Sequence, residues 1–124
     1  MKKLLIPSIF FVLLISFSFA QKPYKVVFYN LENFFDTIND PEVLDDEFTP
    51  DGPKKWNTAK YNKKLNNTER VLFDIAAIDK NYPIVIGVSE VETRGVLEDI
   101  VATPKLAPAN YRIAHFDSPE ARGV

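Results

Sequence analysis

The sequence predicts an α/β fold built on a strand–helix–strand unit, and three observations predict it. Two short runs, Lys25-Val26-Val27-Phe28-Tyr29 and Ile84-Val85-Ile86-Gly87-Val88, are apolar almost throughout and rich in β-branched and aromatic residues. Neither alternates with polar residues, which is the pattern of strands buried on both faces in parallel sheets. Between them Tyr61, Leu65, Thr68, Leu72 and Ile75 recur at steps of four and three, the spacing of one face of a helix.

Taken in order, the chain opens with Met1, Lys2 and Lys3, followed by an apolar stretch from Leu4 to Phe19. Sixteen residues fall short of the ~20 that a membrane-spanning helix needs. Ser18 and Ala20 supply the small residues that signal peptidase accepts, so residues 1–20 read as a signal peptide cut between Ala20 and Gln21. The expected product is exported, periplasmic or extracellular, and without a stable membrane anchor after cleavage.

The first strand is expected to stop at Asn30. From Leu31 to Asp51 there are eight acidic residues and no basic one, punctuated by Pro41 and Pro50, so this stretch is expected to be a long loop. Loops longer than ~15 residues in compact domains are usually functional or disordered. The regular oxygen-ligand spacing of an EF-hand calcium loop is absent. A helix capped by Asn57 or Thr58 follows, with Lys60, Lys63, Lys64 and Arg70 on its other face, and it ends before Asn81 and Pro83. Such a basic face either contacts phosphate backbones or, more commonly, is simply solvated. After the second strand, a short helix is expected over Val96 to Val101 and a third strand over Tyr111 to Phe116.

Charge and cysteine content narrow the chemistry. Without Lys2 and Lys3 the mature part carries 13 basic and 17 acidic residues, a net of -4, a balance that does not favour nonspecific nucleic-acid binding. There is no cysteine, which excludes a lipoprotein anchor, thiol catalysis and cysteine-ligated metal. Any metal must then be held by oxygen ligands and the single His115, a set favouring magnesium, manganese or calcium over zinc.

Both apolar runs end in oxygen ligands. Asn30 and Glu32 follow the first, Ser89 and Glu90 the second, and in α/β proteins sites gather at the carboxyl ends of parallel strands. Asn30 and Glu32 share a face only if strand geometry continues through them. Singly, each residue is also what opens an ordinary loop.

Together these residues lie in a recognisable pattern. Phe28-Tyr29-Asn30-Leu31-Glu32-Asn33-Phe34-Phe35-Asp36 resembles the first signature of the endonuclease/exonuclease/phosphatase superfamily, and Ile86-Gly87-Val88-Ser89-Glu90-Val91-Glu92 resembles its second. Lys54-Lys55-Trp56, the stretch from Tyr61 to Leu65, and the tail from Tyr111 to Val124 are similar to the intervening and following segments of exported bacterial members.

The resemblance implies a four-layer α/β-sandwich, of which residues 21–124 form an amino-terminal, truncated portion. It implies hydrolysis of a phosphodiester or phosphomonoester, with nucleic acid among the candidate substrates and Mg2+ or Mn2+ as cofactor. Glu90 is then the principal metal ligand and Asn30 sits near the metal and the attacking water. Glu32 belongs to the outer metal shell, and Arg122 approaches substrate or is a solvated loop arginine. His115 is expected to be structural, and Glu92 a solvated loop carboxylate. The later Asp-x-Asn motif and terminal Asp-His pair of the superfamily have no counterpart up to Val124. The other readings are a non-catalytic exported binding module and an inactive fragment on the same scaffold.

Overall fold

The computed structural model describes residues 23–124; the expected signal peptide, residues 1–20, lies outside the described residues. Strand β1 (Val26–Phe34) pairs in parallel with β2 (Val85–Val91), and helix α1 (Thr58–Ala77) connects them. Helix α2 (Arg94–Ala102) follows β2, and 3-10 turns occupy Asp46–Phe48 and Ala107–Ala109. The result is mixed α/β with a two-stranded parallel sheet among the described residues.

Local chemistry sets the helix boundaries. The Asn57 side chain accepts from the Lys60 amide at 3.1 Å, satisfying one of the unpaired donors of the first turn of α1. At the other end, the Lys25 ammonium donates to the carbonyls of Ile75 (2.6 Å) and Asn81 (3.2 Å) and to Asp79 (2.6 Å). One lysine at the start of β1 thus caps the carboxyl end of α1 and fixes the angle between strand and helix. Thr93 caps α2 through its hydroxyl and the Val96 amide.

Leu31, Phe34, Leu72, Val96, Ile100 and Leu106 form the buried core, with Val27, Tyr29, Ile86 and Val88 packed against it. That places both helices on one face of the sheet. Val26, Phe28 and Val85 are exposed, Phe28 by 74 %. The Phe28 ring lies against Gly87, where a Cβ would come to 3.0 Å from it, so a side chain there would require the exposed ring to give way by a few tenths of an ångström.

The structure corrects the sequence reading in five places. The two strands are not buried on both faces, because Val26, Phe28 and Val85 face outward from the sheet away from the helices. The first strand does not stop at Asn30 but runs to Phe34, because Phe34 and Phe35 are drawn into the core. Helix α2 begins at Arg94, two residues before the expected Val96. Tyr111 to Phe116 keeps the alternation of half-buried and exposed residues of a strand, yet no backbone ladder joins it to β2. Instead a groove lined by Val88, Leu97, Val101, Tyr111 and Ile113 lies between them. Finally, Lys64 is half-buried rather than solvated.

Candidate functional site

The register of the sheet builds the site. Pairing runs evenly from Val26 opposite Val85 to Asn30 opposite Ser89, and then resumes with Phe34 opposite Val91. β1 therefore spends four residues where β2 spends two. The excess is taken up by Glu32 and Asn33, both left-handed with φ of 54° and 60°, while Glu90 across from them has φ of 57°. Left-handed backbone costs a non-glycine residue roughly 1–2 kcal/mol and persists where neighbouring contacts over-determine it.

Those contacts join the two strand ends. The Asn30 side-chain amide donates to Glu90 Oε1 at 2.9 Å, and the Asn33 backbone amide donates to Glu90 Oε2 at 3.1 Å. Asn30 Oδ1 accepts from the Glu32 amide at 2.6 Å. The Lys64 ammonium caps the outer side of the bulge, donating to the carbonyls of Glu32 (2.7 Å) and Asn33 (3.3 Å). Arg122 donates to Asn33 Oδ1 at 3.2 Å and is itself paired with Glu120 at 2.9 Å.

Of the residues singled out from sequence, Asn30, Glu90 and Arg122 therefore converge. Glu32 contributes through its main chain; its carboxylate is exposed and accepts no hydrogen bond among the described residues. Strand geometry does not continue through position 32, so Asn30 and Glu32 are linked by a side-chain-to-backbone bond rather than by a shared face. His115 lines the groove beside β2, its Nδ1 3.8 Å from Asp117. Ser89 and Glu90 line the same groove.

Electrostatics follow from this packing. Burial lowers the Lys64 pKa, while Glu32 and Glu90 oppose that shift. Arg122 is held above its ordinary value, first by its hydrogen bond to Glu120 and more weakly by Glu90.

Glu92 overturns the expectation of a solvated loop carboxylate. It is 8 % exposed, and its Oε2 accepts from the Asp36 amide at 2.7 Å. Burial pushes its pKa to about 7, against the pull of that bond and with the push of Asp36 and Asp45. Asp45, 1 % exposed, accepts from the Asp40 amide at 3.0 Å. The acidic loop thus uses its carboxylates to satisfy its own backbone: Asp36 accepts from the Ile38 amide and Asp40 from that of Glu42.

Sequence reasoning missed Lys64 and Glu92 as parts of this region. For Lys64 a signal was present: it lies three residues after Tyr61 and four before Thr68, and so falls within the apolar stripe of α1. For Glu92 there was none, because its burial depends on the docking of a loop more than fifty residues earlier.

Among the described residues no group of three or more His, Cys, Asp or Glu side chains is disposed to share a metal ion. One carboxylate and one carboxamide oxygen at an exposed strand end nevertheless fit a hard cation that keeps several waters and completes its shell with substrate phosphate.

No curated protein and no solved structure matches the chain significantly. The model of the endonuclease/exonuclease/phosphatase family matches residues 25–124, a span that contains both strand ends and the bulge between them. The chain belongs to the endonuclease/exonuclease/phosphatase family.

Proposed function

We propose that the protein to which this chain contributes its amino-terminal portion hydrolyses phosphate esters, phosphodiester or phosphomonoester, with a magnesium or manganese ion held at Glu90. The family supplies the hydrolase class. The observation that carries the finer reading is the convergence of Asn30 and Glu90 across the two strands, one bond 2.9 Å long between side chains with no shared sequence neighbourhood.

Glu90 and the Asn30 carboxamide oxygen would hold the ion. When bound, it neutralises phosphate charge and stabilises the leaving oxygen. Asn30 orients Glu90 through its amide and presents its own oxygen beside it. Arg122, fixed by Glu120 on the same side as Asn33, offers its guanidinium to a phosphate oxygen. Glu32 adds negative charge at the rim and belongs to the outer shell of the ion. The substrate approaches along the groove that Ser89 and Glu90 line. Nucleic acid is one such substrate.

The wider setting is part of the same proposal. Residues 1–20 act as a signal peptide, and the product works in the periplasm or outside the cell. No helix among the described residues is long and apolar enough to cross a membrane. The exposed sheet face bearing Val26, Phe28 and Val85 is the side on which the second sheet of a four-layer sandwich would pack.

Calorimetric titration with Mg2+ and with Mn2+, beside turnover of a generic phosphodiester and a generic phosphomonoester, tests the proposal. Glu90→Gln keeps the size of the side chain and removes the charge. It is expected to abolish measurable ion binding and to lower turnover by orders of magnitude. Wild-type binding and turnover in Glu90→Gln would sink the metal assignment. Ion binding without turnover of either ester would favour the non-catalytic binding module.

A further inference from the structure

We propose that Lys64 is a positioning residue for Glu90: its ammonium clamps the carbonyls of Glu32 and Asn33 and so holds the Asn33 amide against the carboxylate. The inference rests on the reading of Glu90 as the metal ligand and extends it to a residue of α1.

The geometry is specific. Glu32 and Asn33 are consecutive left-handed residues, and their carbonyls both lie within reach of one ammonium, at 2.7 and 3.3 Å. Their amides point into the site, one to Asn30 Oδ1 and the other to Glu90 Oε2. The peptide plane between Glu32 and Asn33 is therefore held at both ends, its carbonyl by Lys64 and its amide by Glu90 Oε2. A peptide plane gripped at both its amide and its carbonyl end has little freedom to rotate.

The lysine is itself held. Its ammonium lies 5.4 Å from the centre of the Phe34 ring and 5.6 Å from that of Trp56, and Phe34 is fully buried. Trp56 is anchored in turn, its indole donating to the Phe35 carbonyl at 3.0 Å. A solvated lysine on a helix surface would lack both the aromatic floor and the paired acceptors. Neighbouring Lys63, exposed on α1, makes no hydrogen bond or ion pair with the bulge among the described residues and serves as the control.

The test compares Lys64→Met, Lys64→Arg and Lys63→Met in the natural protein. Methionine keeps an unbranched stem over Phe34 and Trp56 but removes the donors; arginine restores charge and donors. Amide exchange followed by NMR in metal-free protein should show the Asn33 amide losing at least about tenfold in protection in Lys64→Met, with α1 and β2 unchanged. Mg2+ affinity should weaken about ten- to hundredfold, the range found when the partners of metal ligands are removed. Turnover should fall through kcat rather than KM. Lys64→Arg should recover most of each quantity and Lys63→Met should match wild type. If Lys64→Met does not fold, the same readings on Lys64→Gln decide. Wild-type Asn33 protection in the neutral variant overturns the clamp. If wild type binds no divalent ion, the metal reading fails by itself, and the exchange measurement alone judges the clamp.

Discussion

The side-chain amide of Asn30 donates to Oε1 of Glu90 over 2.9 Å, although 60 residues separate them in the chain. Asn30, opposite Ser89, is the last regularly paired residue of its strand and Glu90 is the first residue of β2 past that pair, so the bond forms where parallel pairing gives way to the bulge. A carboxylate fixed by a carboxamide and a backbone amide has one orientation available, which is what the ion-binding role proposed for Glu90 requires.

Asn30→Ala removes the donor to Glu90 and the acceptor for the Glu32 amide together. Because Asn30 is exposed, the cost in folding stability should be near ~1 kcal/mol. The cost in divalent-ion affinity should be much larger, about ten- to hundredfold. Chemical denaturation and calorimetric titration on the same sample separate the two, and equal loss of stability with unchanged affinity would show that Asn30 is only structural.

The pH dependence of stability should carry the signature of Glu92. Its carboxyl sits near pKa 7 in the folded protein, above the usual 4.5, because burial disfavours the charged form. Between those values the folded chain retains a proton that the unfolded chain has released. The contribution of Glu92 is therefore fully present below pH 4.5 and is lost as pH rises through 7, by at most ~3 kcal/mol. Glu92→Gln stays neutral and can still accept from the Asp36 amide. Denaturation at pH 5 and pH 8 should show a steeper fall for wild type than for the variant; identical slopes would refute the assignment.

Trp56→Phe tests the anchor beneath the bulge. The variant leaves the Phe35 carbonyl without the 3.0 Å indole donor while keeping an aromatic ring beside Phe48. A loss of ~1–3 kcal/mol is expected in equilibrium denaturation. No loss would mean that water replaces the indole at no cost.

Export gives the remaining prediction. Amino-terminal sequencing of the exported product should begin at Gln21, and a product beginning at Met1 or retained in the membrane would contradict the signal-peptide reading.

By itself the sequence determined the class of fold and the strand ends at which polar residues accumulate. Apolar runs and helical periodicity mark where strands and helices form, which is why both strands, α1 with its Asn57 cap, and the meeting of Asn30 with Glu90 were legible, although one face of the strands, with Val26, Phe28 and Val85, is exposed. Tertiary structure decided what local pattern does not encode. Glu32 turned its main chain to the site and its carboxylate to solvent, because two left-handed residues absorb a register difference that exists only once both strands are paired. Lys64 became a clamp because Phe34 and Trp56, distant in sequence, form the surface beneath it. Glu92 became a buried acid because a loop fifty-six residues away lays its Asp36 amide upon it. In each case the side chain's role is set by desolvation and hydrogen-bond partners brought from elsewhere in the chain, and those partners exist only when the chain is folded.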